Sequence, residues 1–246
     1  MKRFKWQITF GASLIALSAI VYFVQIEIFN RPRDTLFYLF QDFAFVPISV
    51  LVVTLIIDQL LRVREKRAIL NKMNMVIGAF FSEVGTRLLK SFPDFDLHYD
   101  KIRGNLIVTN DWSEQEFSIV RKRLKNYDYK IESQKGDLED LKSFLIKKRG
   151  FLLRLLENPN LLEHESFTDL LWAVFHLTEE LACRVDVRQL PKTDYDHLSG
   201  DIKRAYILLI SEWIAYMNHL KKDYPYLFSL AVRTNPFDPN AAPEVK

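Results

Sequence analysis

Asp42 heads a run of apolar residues, DFAFVPISVLVVTLIIDQLL (42–61), with Gln41 before it and Pro47 five residues on. A carboxylate in such a run has two uses. Inside hydrocarbon an ionised acid is costly, and where it occurs it marks an ion path. In a ring of subunits, Gln41 and Asp42 would select cations at the outer mouth of a pore. At the first turn of a helix beginning at Phe43, Asp42 would instead cap the positive end, with TLFYLFQ (35–41) lying along the interface. This second reading is preferred, because Phe43 to Leu61 already has the length to span a bilayer. Pro47 follows whichever reading holds. It removes a bond to the Phe43 carbonyl, which matters little in a first turn and kinks a helix begun near Leu36.

Other titratable residues have plainer readings. Asp58 precedes Arg62 by one turn, which makes an ion pair the expectation. Helical bundles hold metal between Glu and Glu-x-x-His pairs, which makes Glu83, Glu179 and Glu180 near His176, and Glu212 near His219, the candidates. None fits: His176 precedes Glu179, and Glu212 and His219 lie two turns apart. No metal, cofactor or catalytic residue is expected. DFDLHYD (94–100) lacks the glycine and final Glu of a calcium loop and reads as a solvated edge. Cys183 sits among apolar helical neighbours and is expected to be buried. With seven glycines and no paired cysteines, phosphate-cradling loops and zinc knuckles are absent.

The elements that must position these residues begin with two long apolar segments. WQITFGASLIALSAIVYFVQI (6–26) carries no charge, and a second segment extends from Leu36 to Leu61. Each exceeds the roughly 20 residues that cross about 30 Å of hydrocarbon. A signal peptide is the rival for the first, since MKRFK is a basic start and ALS resembles a cleavage site. The uncut helix is preferred because it uses the whole apolar run. Lys2, Arg3 and Lys5 precede the first segment; Arg62, Arg64, Lys66, Arg67 and Lys72 follow the second; only Arg31 and Arg33 lie between. Both termini are therefore expected in the cytoplasm, at the cell (inner) membrane. Gly11, Ala12, Ala16, Ser18 and Ala19 give the first helix a small-residue surface that suits packing on the second, or on another subunit. Of 34 basic and 31 acidic side chains, 28 and 27 fall in residues 63–246, so that part is near neutral and carries no nucleic-acid footprint.

The rest of the chain reads as amphipathic helices. Leu70, Met73, Ile77, Phe81, Val84 and Leu88 recur at helical spacing, which predicts a linking helix over 62–90 ended by Pro93. NLIVTN (105–110) and YDYKIE (127–132) would pair as a small two-stranded element. Ser113 and Glu116 form a capping-box pattern before Phe117, Val120 and Leu124, and Asp137 opens a helix that NPN (158–160) stops. ESFTDLLWAVFHLTEELACR and residues 196–223 supply two more helices. The expected fold is all-α: membrane helices in 1–61, the linker over 62–90, a cytoplasmic helical bundle over 91–238 and a disordered tail over 239–246. Tyr226, Leu227, Phe228, Leu230 and Val232 are expected to pack against the bundle.

FYLFQDFAFVPISVLVVTLIIDQLL, MVIGAFFSEVG and DYPYLFSLAVRTNPF resemble a group of uncharacterised two-span membrane proteins of bacteria and archaea. The resemblance implies a topology and no chemistry. Basic side chains at Arg62, Arg64 and Arg67, and at Arg121, Lys122 and Arg123, are candidates for facing anionic lipid. Three functions remain open: a tethered, self-associating scaffold, sensor or regulatory module; an oligomeric channel lined by the second helix; and a metal-dependent enzyme.

Overall fold

The computed structural model describes the backbone of residues 2–29 and 32–245, and side chains other than those of 1–10, 29–32, 67, 68, 70, 71, 162 and 246. It is all-α, with two compact units, Met1–Glu65 and Lys66–Lys246.

Helices α1 (Lys2–Phe29) and α2 (Pro32–Phe80) supply the first unit, and α2 continues into the second. Both helices are long and apolar enough to cross a membrane, by length and composition, over Gly11–Ile28 and Arg33–Lys66. Neither window is buried. α2 opens at Pro32, whose fixed φ and missing N–H suit a first helical position, with Asp34 in the first turn. Asp42 therefore lies well inside the helix and cannot cap it, contrary to the preferred sequence reading. Pro47 is interior too.

In the second unit, Met73, Ile77 and Phe80 are buried at spacings of four and three along α2. A single π-helical turn, Phe81–Gly85, then widens the winding, so that the consecutive rings of Phe80 and Phe81 both face inward. Phe81 stacks on Tyr216 at 5.1 Å, and a Cβ on Gly78 would meet the Tyr216 hydroxyl at 3.0 Å. α3 (Thr86–Ser91) and a 3-10 turn, Phe92–Phe95, carry the chain past Pro93, which opens that turn instead of ending the run.

Short helix α4 (Tyr99–Arg103) leads to α5 (Glu114–Lys125), which starts with the anticipated capping box. α6 (Leu138–Leu156) is capped by Asp137, and α7 (Glu165–Ala182) by His164 Nδ1, which accepts from Phe167 N–H. α8 (Lys192–Asp223) is the centre of the body: α5, α7 and α9 (Pro225–Arg233) pack on it, and α6 packs on α7. Leu198, Ile202, Tyr206, Leu209, Ile214 and Met217 are buried on more than one side of α8, as that central place requires.

Three expectations give way. NLIVTN forms no strand: Asn235 Nδ2 donates to the Leu106 carbonyl and satisfies it without a ladder. YDYKIE pairs with the other side of α4, through one antiparallel bridge between Asp96 and Ile131. α9 buries Phe228 but leaves Tyr226, Leu227 and Leu230 exposed, since a helix on the rim of the body offers only one face to it. The tail is described to residue 245, and Arg233 donates to the Pro243 carbonyl.

Candidate functional site

In the first unit, Tyr22 from α1 donates its hydroxyl hydrogen bond to Asp42 Oδ2 at 3.0 Å. The acid that sequence reading placed at a cap or a pore thus has a partner on the neighbouring helix. Asp58 and Arg62 form the expected i, i+4 pair at 2.6 Å, both exposed. Gln41 and Arg64 are exposed, while the side chain of Arg67 lies outside the described residues.

The second unit assembles a cluster of which the sequence offered His176 and Glu180 but not their partners His197 and Asp201. His176 and Glu180 are four residues apart on α7, and His197 and Asp201 four apart on α8, so each pair shares a helix face. The packing of α7 on α8 brings those faces together. His176 Nε2 lies 3.5 Å from Asp201 Oδ1 and 3.8 Å from Glu180 Oε1. His197 Nε2 lies 3.3 Å from Asp201 Oδ2 and 3.6 Å from Glu180 Oε2. The imidazoles are about half exposed, at 45% and 52%, whereas Asp201 is only 3% exposed.

Asp201 Oδ2 has no hydrogen-bond partner among the described residues although it is buried. Its other oxygen accepts from Arg204 at 3.2 Å. Arg184 reaches Glu180 Oε2 at 2.8 Å and grips Asp194 through two nitrogens. Its hydrogen bonds hold both carboxyls below the usual carboxylate range, and the two acids raise the Arg184 guanidinium in turn. Two imidazole nitrogens and two carboxylates, oriented by arginines behind them, are a donor set that suits first-row divalent metals.

The other metal candidates disperse. Glu83 pairs with Lys148, Glu179 with Arg149, and His219 with Asn74 and Asp223. Glu212 is 2% exposed and has Arg121 at 3.5 Å. Asp96, expected at a solvated edge, is buried; desolvation raises its carboxyl, while one oxygen accepts from His98 N–H at 3.0 Å. Cys183 is exposed, because α7 ends at Ala182 and the residue leaves the face that buries Leu177 and Leu181.

The basic run at 121–125 also resolves into contacts within the chain. Arg121 Nε donates to Ser211 Oγ at 3.1 Å, and Arg123 donates to Asn105 Oδ1 at 3.3 Å. Arg121, Lys122 and Lys125 line a cleft of about 350 Å³ with Ser118, Ser166 and Ser211.

Residues 69–233 match the family model described as the C-terminal helical domain of uncharacterized protein MJ1433, and residues 2–61 match that of its N-terminal helical domain. The chain belongs to the MJ1433 family. It is 48% identical over 234 residues to the uncharacterized protein MJ1433 of Methanocaldococcus jannaschii, covering 95% of this chain and 94% of that one. No solved structure matches it.

In this member of the MJ1433 family, the cluster belongs to the C-terminal helical domain. One sequence signal could have found it: HLTEE (176–180) and HLSGD (197–201) both read His-Leu-x-x-acid. A search for Glu-x-x-His passes over that reversed and longer spacing.

Proposed function

We propose that this chain is a two-span membrane protein whose helical domain acts in the cytoplasm as a tethered, non-catalytic scaffold, sensor or regulatory module. One observation carries the membrane part. No part of the apolar windows of α1 and α2 is buried by the described residues, whereas a core helix of a soluble protein is mostly buried. Leaving that much apolar surface in water is untenable at about 25 cal/mol per Å². The positive residues at the outer flanks of the two helices support cytoplasmic termini.

The Tyr22–Asp42 bond favours this reading over a pore lined by Gln41 and Asp42, because a hydroxyl of the same hairpin already takes up the carboxylate. Self-association belongs to the proposal. Among the described residues nothing lies within 4 Å of a Cβ placed on Gly11, so this part of the small face of α1 is open to another chain or to lipid. Arg62 and Arg64 would meet the anionic headgroups of the inner leaflet.

The test is extraction and topology in cells. The full chain should stay with membranes through alkaline carbonate, and a reporter fused to its carboxyl end should be active in the cytoplasm. Release into the carbonate supernatant, or a reporter active on the outer side, would overturn the reading.

A further inference from the structure

We propose that His176, Glu180, His197 and Asp201 form a closed, four-donor site for one divalent first-row metal ion. The argument is geometric and stands apart from the membrane reading.

A tetrahedral ion with bonds of about 2.0–2.2 Å separates its donor atoms by roughly 3.3–3.6 Å. Of the contacts made by the oxygens that the arginines leave for an ion, His197 Nε2–Asp201 Oδ2 falls in that range at 3.3 Å and His176 Nε2–Glu180 Oε1 lies just beyond it at 3.8 Å. The ligand atoms of His176, His197 and Asp201 all lie within 4.8 Å of one another, and Glu180, outside that group, has to draw in towards them to complete the four. None of these imidazole–carboxylate contacts is an aligned hydrogen bond, and Asp201 Oδ2 is buried and unsatisfied, 3.3 Å from His197 Nε2. A buried carboxylate oxygen left unsatisfied beside an imidazole nitrogen is unfavourable unless a proton or a metal cation lies between them.

The arginines do not occupy that space fully. Arg184 takes Glu180 Oε2 and Arg204 takes Asp201 Oδ1. Glu180 Oε1 and Asp201 Oδ2 remain for an ion, and the guanidinium groups fix the carboxylates as outer partners do in metal sites. Four protein donors fill a tetrahedron and leave no position for a reacting water, which makes the site structural or sensing. An ion here would bind α7 to α8 beside the connection at 183–191.

The full chain, purified in detergent and stripped with chelator, is titrated with Zn²⁺ by calorimetry and with Co²⁺ by visible absorption. The expected result is one equivalent of Zn²⁺, a Co²⁺ spectrum of four-coordinate intensity, and a Tm that rises with Zn²⁺. His197→Ala should weaken Zn²⁺ by more than about 100-fold and abolish the Co²⁺ band. Because His197 is half exposed, this truncation should leave the apo Tm and far-ultraviolet dichroism unchanged. Glu179→Gln, one residue from the cluster and paired elsewhere, should bind as the parent does. No stoichiometric binding, or binding indifferent to both His197→Ala and His176→Ala, overturns the site. Detergent solution gives the same answer whether or not the hairpin enters a bilayer in cells, so the two proposals fail separately.

Discussion

The two units use the same helical backbone and the same apolar residues to opposite ends. In the hairpin, Leu51, Val53 and Ile56 are about half exposed. In the body, Leu209, Ile210 and Ile214 have no exposure, and buried Glu212 and Asp201 each have an arginine beside them. The difference teaches that helix formation does not decide what a helix is for. α2 runs unbroken from Pro32 to Phe80, yet it bares its side chains in one unit and buries one face of them in the other.

Truncating one leucine in each region tests that contrast most strongly. Leu209→Ala should destabilise the body by about 2–5 kcal/mol through lost transfer energy and a cavity. Leu51→Ala should change little in detergent, where micelle replaces the missing methyls. Equal losses in thermal melts of the two variants would break the comparison.

Arg121→Met comes next. It strips the partly exposed cation from buried Glu212, and about 1–3 kcal/mol of stability should go with it in a denaturant melt. If Arg121 served only to face lipid, stability would not move.

Acid titration sharpens the body further. Arg184 lowers the folded carboxyls of Glu180 and Asp194, so their contribution is fully present above the unfolded carboxylate range, near pH 4. It is lost as pH falls through the lower folded values. Arg184→Met should therefore flatten the acid limb of Tm against pH, relative to the parent. An unchanged limb would show that the trio contributes nothing to it.

The smallest effect belongs to the hairpin. Tyr22→Phe should cost little, as the loss of one interhelical hydrogen bond does in the proposed membrane hairpin. A much larger loss, read as loss of the folded hairpin in a nanodisc, would mean that Asp42 depends on Tyr22 alone.

Much of the body was legible in residue spacing. The Met73–Leu88 stripe, the Ser113–Glu116 box, the Asp137 cap and the Leu138–Leu156 helix all appear where periodicity and capping chemistry place them. The second-helix start was not legible: an acid before an apolar run looks like a cap, but helical bonding continues through TLFYLFQ back to Pro32. Asp96 and Cys183 exchanged their expected environments because a bridge and a helix end, both set by tertiary packing, decide which way each side chain turns.

Local sequence determined the helices, their caps and the apolar character of residues 11–66, because those depend on neighbours within about one turn. Only the tertiary structure decided that Tyr22 reaches Asp42 and that Arg121 serves Glu212. It alone placed two His-Leu-x-x-acid faces against each other, 21 residues apart in the chain. Such meetings depend on how helices pack, and one-dimensional spacing carries no record of which face of one helix will lie on which face of the next.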